Sequence, residues 1–93
     1  METDTVVLLA PGPIREEDRA RVRAFITRSL DRPVRDSEDF FATSLVSSLF
    51  GMQLITFIEK SFAVEVTDDD LVLDHFLSID NICRFVQRKR NDV

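Results

Sequence analysis

The sequence predicts an all-α protein: a four-helix bundle with a long first loop and a short third helix. Three observations carry that prediction. Apolar residues recur at helical spacing over residues 14–31, 48–62 and 78–90. Only two Gly and three Pro occur in 93 residues, too few for the repeated tight turns of an all-β fold. Capping residues stand where the later helices should open, and prolines bound the first. A chain of this length makes one domain with a modest core. An apolar share of 44% fits a folded chain, and eight Phe without Tyr or Trp point to a hydrocarbon interior.

Residues 1 to 13 end in Pro11-Gly12-Pro13, which stops any helix running in from the N-terminus. They read as a flexible or extended lead. The first helix should start near Ile14, where Glu16, Glu17 and Asp18 suit the positive end of the helix dipole. Ile14, Val22, Phe25, Ile26 and Leu30 share one face, the arginines lie mostly on the other, and Pro33 forbids continuation much beyond Asp31. That arginine face reads as solvated surface.

Residues 32 to 47 form a long connection that carries Val34, Phe40, Phe41, Leu45 and Val46, so it must lie against the core. Loops of this length usually serve function. The second helix should run from Ser48 to about Phe62, followed by a short extended link, Val64-Glu65-Val66. Thr67 can cap a brief third helix with Asp68, Asp69 and Asp70 in its first turn. Ser78 caps the last helix, whose inner face is Ile79, Ile82, Cys83 and Val86 and whose end carries Arg88, Lys89 and Arg90.

Charge and composition exclude several functions. A net charge of −5 argues against a nucleic-acid partner. Val6-Val7-Leu8-Leu9-Ala10 is too short to span a membrane, and it follows Glu2 and Asp4 where a signal peptide would be basic. The lone Cys83 cannot close an internal disulfide and reads as a small buried hydrophobe; a cytoplasmic location is the default expectation. The charge is also uneven: residues 15 to 35 hold seven Arg, whereas residues 59 to 80 hold seven Asp or Glu and one Lys. The acidic end suits docking onto basic partner surfaces.

The segment with most to say is the opening of the second helix. Ser47 can act as its N-cap, and Ser48 is its first residue. The first amides of a helix have no intrahelical partner and the dipole is positive there, so a phosphodiester on Ser48 would sit in a favourable field. The plain alternative is that both serines only cap. On a helical wheel Phe50, Leu54, Ile55, Phe57, Ile58 and Phe62 form a broad apolar arc. Gln53, Thr56, Glu59 and Lys60 lie opposite, yet Leu49 and Met52 fall among them. Either these two make a docking surface or they cover neighbouring loop residues.

From Phe40 to Val86 the chain resembles acyl carrier proteins. The resemblance rests on the acidic-Phe-Phe loop Asp39-Phe40-Phe41 and on Ser47-Ser48-Leu49 opening the second helix. It extends to Phe57-Ile58-Glu59 with Phe62 at that helix's end, and to Val64-Glu65-Val66-Thr67-Asp68-Asp69-Asp70 leading into the third. It implies a bundle of acyl-carrier type over residues 14–90, with 91–93 as a tail, and a 4′-phosphopantetheine arm on Ser48. The family usually has Asp before the modified serine; Ser47 keeps a helix cap there and drops one negative charge. Phe50-Gly51-Met52-Gln53-Leu54 is most similar to the discrete carriers of methoxymalonyl- or hydroxymalonyl-type polyketide extender units.

The same resemblance implies a monomeric, non-enzymatic carrier that holds an acyl thioester. Its implied partners are a phosphopantetheinyl transferase and the loading, tailoring and acyl-transfer enzymes of a polyketide synthase. Leu49, Met52, Gln53 and Thr56, with Asp68, Asp69 and Asp70, would form its docking face; Asp74 adds to the acidic steering. The rival from another class is a cofactor-free helical adaptor that binds one partner through the exposed face of the second helix.

An enzyme is poorly supported by one His and one Cys with no catalytic constellation around them. His75 reads as partly buried, bonded to Asp74 or to backbone. Asp68-Asp69-Asp70 lacks the spaced ligands and turn glycine of a calcium loop, so no metal site is expected. Gly51, one turn into the second helix, either lets the arm or a partner approach closely or is simply tolerated.

Overall fold

The computed structural model describes residues 14–43 and 48–91, and of Thr43, Ser48 and Asn91 the backbone only. The predicted lead, the cap Ser47 with its neighbours Ser44, Leu45 and Val46, and residues 92–93 of the tail lie outside the described residues. Four helices are present among the described residues: α1, Glu16–Leu30; α2, Phe40–Thr43; α3, Ser48–Phe62; and α4, Ile79–Asn91. Two 3-10 turns, Asp68–Asp70 and Leu73–Phe76, link α3 to α4, and no strand occurs among the described residues.

Helix α1 begins two residues later than its apolar face suggests, at Glu16, with Arg15 in extended conformation ahead of it. It stops at Asp31, which turns left-handed at φ 57°, a conformation that Asp tolerates better than most residues. Helix α3 has the predicted bounds and ends at Ala63, likewise left-handed at φ 55°. The extended link that follows returns along α3, where Val66 N donates to Glu59 Oε2 at 2.9 Å. Ser78 caps α4 as predicted, its Oγ accepting from Asn81 N at 3.1 Å.

Among the described residues the core is a single cluster. Val22 and Ile26 of α1, Phe50, Leu54, Ile58 and Phe62 of α3, and Ile79, Ile82, Cys83, Phe85 and Val86 of α4 meet with Phe40 and Phe76. The α3 members fall at every fourth residue, so the stripe drifts slowly around the helix while facing one core. Phe25 and Phe57, half-buried, stack face to face with ring centroids 4.3 Å apart. Phe40 meets Phe50 edge-on at 6.1 Å, a geometry aromatic quadrupoles favour.

The described part of the long connection, residues 32–43, lies on the core as expected, with Val34 and Phe40 buried. Its backbone is tied to the start of α4: Phe40 N donates to Leu77 O at 3.1 Å, and Asp80 N to Asp36 O at 2.9 Å. The single turn α2 inside it has no counterpart in the helical pattern, because four residues are too few to show a period.

Two expectations are corrected. The third helix is not an α-helix. Thr67 and Asp70 form a capping box that closes one tight turn, and Leu71, at φ −79° and ψ 64°, leaves the helical region before Leu73 starts the next. The arginine face is not simply solvated either. Arg19 binds Glu16, Asp36 and Asp80, Arg23 binds Asp36, Arg32 binds Glu38, and Arg21 donates to the Ser61 carbonyl at 3.0 Å. Arginine's fixed fork of donors lets it join α1 to the loop and to α4, where a periodicity argument sees only a polar side.

Candidate functional site

Ser48 is the first residue of α3, so it stands at the end of the helix where the backbone amides have no intrahelical acceptor. The residues around it on the outer side are strongly exposed. Leu49 is 63% and Met52 69% accessible, and Gln53 and Thr56 are exposed beside them. Two large apolar side chains thus stand in water within the first two turns of one helix, the pattern expected of a contact surface.

A second apolar element faces α3 from the link. Leu71, Val72 and Leu73 are 56%, 46% and 58% exposed. Leu71 and Val72 lie between the two 3-10 turns, and Leu73 opens the second. Together with Phe41 of α2 and with Gly51, Met52, Leu54, Ile55 and Thr56 of α3, they line a groove of about 600 Å³ floored by Phe76. That volume lies within the range of small-molecule sites, roughly 300–1,000 Å³. Almost every lining side chain is hydrocarbon, aromatic or thioether, and Thr56 is the one hydroxyl among them.

The outer wall of the groove is held in place by polar contacts to α4. Lys89 Nζ lies 2.7 Å from Asp70 Oδ2, and Asn81 Nδ2 donates to the Asp74 carbonyl at 2.7 Å. Asp70 also accepts from Thr67 N at 2.9 Å and from Thr67 Oγ1 at 3.0 Å. Hydrogen bonds from Lys89 and Thr67 hold its carboxyl down to about 2. Asp70 is therefore occupied in building the wall, whereas Asp68, Asp69 and Asp74 are exposed and set the acidic field of the predicted docking face.

His75 sits in that wall as well. Its Nδ1 lies 3.0 Å from the Asp70 carbonyl, which makes Nδ1 the donor, and its ring stacks on Phe85 with centroids 5.1 Å apart. The backbone partner matches one of the two predicted, although it belongs to Asp70. Cys83 is buried in α4, and burial pushes its thiol up to about 11, so it stays protonated and unreactive at neutral pH.

Comparison with protein families, curated proteins and solved structures finds no match for this chain.

Of the predicted contact residues, Leu49, Met52, Gln53 and Thr56 share one exposed side of α3. Asp68 and Asp69 stand at the first 3-10 turn of the opposite wall. Helical periodicity did not mark Leu71, Val72, Leu73 and Phe41 as groove residues. The available signal was three consecutive apolar residues in a segment too short to bury them all. No helix among the described residues is long and apolar enough to cross a membrane.

Proposed function

We propose that this protein is an acyl carrier: Ser48 takes a 4′-phosphopantetheine arm, and the thiol of that arm holds an acyl group as a thioester. The observation that carries this reading is the apolar groove opening within one turn of the helix start, with Gly51 and Met52 in its lining. An arm planted at Ser48 reaches that groove without crossing the molecule. Its phosphodiester lies at the N-terminal end of α3, where the helix dipole favours an anion. The resemblance between residues 40 and 86 and acyl carrier proteins points the same way. The chain itself performs no chemistry on this reading. It positions cargo for a phosphopantetheinyl transferase and for polyketide loading, tailoring and acyl-transfer enzymes.

The lining also bears on the cargo. A hydroxylated malonyl-type extender unit, which the resemblance implies, would lose hydrogen bonds to water among Phe41, Ile55 and Leu73. Such a unit would stay outside, beside the exposed face of α3. Hydrocarbon acyl groups gain from burial in the same place.

The exposed pair Leu49 and Met52 equally favours a cofactor-free adaptor that docks one partner through α3. Intact-protein mass after incubation with coenzyme A and a promiscuous phosphopantetheinyl transferase separates the two. A carrier gains the arm, and its Ser48→Ala variant does not. An unmodified wild-type chain would leave the adaptor reading.

A further inference from the structure

Resting on the carrier reading, we propose that Gly51 determines how large an acyl group the groove admits. A glycine inside a helix costs about 1 kcal/mol relative to alanine, so its presence in the second turn of α3 calls for a reason. Two ordinary reasons fail. Its φ is not positive, so the backbone does not demand glycine. A Cβ built on it meets no atom within 4 Å, so close packing does not demand glycine either. What remains is the space that a side chain would fill.

That space is the groove, since Gly51 lines it. Gly51 lies three residues after Ser48, on the same side of the helix and about 4.5 Å further along its axis. Side chains on a helix lean back over the turn that precedes them. A side chain at position 51 would therefore cover the strip between the attachment residue and the groove. Bare backbone leaves that strip open, with Met52 and Ile55 beside Gly51 in the lining. A tethered acyl group enters over Gly51, and the bulk at this position sets the size limit.

The test uses the full chain, armed at Ser48 and loaded with acetyl or octanoyl thioester. Cleavage by hydroxylamine is followed by mass, because a buried thioester reacts more slowly than an exposed one. In the wild type the octanoyl form should be cleaved several-fold more slowly than the acetyl form. Gly51→Leu should bring the ratio close to one, with Gly51→Ala between the two. Circular dichroism checks the fold of each variant. If the Leu variant does not fold, the Ala variant must still lower the ratio. An armed protein whose ratio ignores both substitutions, or shows no chain-length difference at all, overturns the role of Gly51 and leaves the carrier reading standing. A chain that accepts no arm overturns both.

Discussion

Lys89 and Asp70, nineteen residues apart in the chain, meet at 2.7 Å and fasten the outer wall of the apolar groove to α4. The carboxylate closes the capping box at Thr67 at the same time, so one side chain fixes both the start of the wall and its distance from the bundle.

This contact makes stability depend on acid. The carboxyl of Asp70 is lowered from its ordinary 3.8 to about 2, chiefly by the Lys89 hydrogen bond. A depressed folded value means that the contribution is complete above the unfolded value and lost as pH falls through the folded one. Urea denaturation of the wild type should therefore show stability declining between about pH 4 and pH 2 in part through this group. Asp70→Asn should flatten that segment of the curve. An unchanged profile in the variant would rule out the contribution.

Asp18 and Arg90 form a second tie, one that no local pattern in the sequence announces. Arg90 donates to both carboxylate oxygens, at 2.5 and 3.1 Å, while its guanidinium lies 5.3 Å from the centre of the Phe62 ring. Asp18 is buried although it stands in the first turn of α1, so it does more than complement a dipole. Asp18→Asn should cost about 2 kcal/mol, since it leaves a partly buried cation without its charge partner. Glu17→Gln, exposed one residue earlier, should change stability by less than about 0.5 kcal/mol. Equal effects in chemical denaturation would refute the distinction.

Ala63 ends α3 in the left-handed region, where a Cβ is disfavoured. Ala63→Gly should raise stability by about 0.5–1 kcal/mol, corresponding to a Tm increase of roughly 2–8 °C for a domain of this size. Calorimetry reads it directly, and a lower Tm would mean that the turn gains more from alanine's stiffer unfolded chain.

Leu49 stands exposed beside the proposed attachment residue. If partners read this face, Leu49→Glu should lower kcat/KM for arm transfer about tenfold, or about 1.4 kcal/mol, with unchanged circular dichroism. Lys60→Ala, exposed at the far end of the same helix, should leave the rate within about twofold. Matching losses in both variants would argue against a localised docking site.

Helix identity was legible where periodicity, caps and proline agreed. Helix α3 keeps the predicted bounds of Ser48 and Phe62, and the inner face of α4 is buried as read. Phe85 escaped notice because α4 buries a wider arc than its shortest apolar stripe indicates. The exposed position of Leu49 and Met52 was equally readable, since a helical wheel reports direction without needing a neighbour.

The sequence alone determined the helical class, the main helix bounds, and the isolated apolar pair near Ser48, because these depend on interactions within a few residues of chain. Only the tertiary structure decided that the aspartate run would form a 3-10 turn clasped by Lys89, and that the arginines would bind loop and helix. The groove between α3 and Leu71-Val72-Leu73 belongs to that second group as well. Each of these needs groups distant in sequence to meet, and local pattern holds no record of which side chains become neighbours once the core closes.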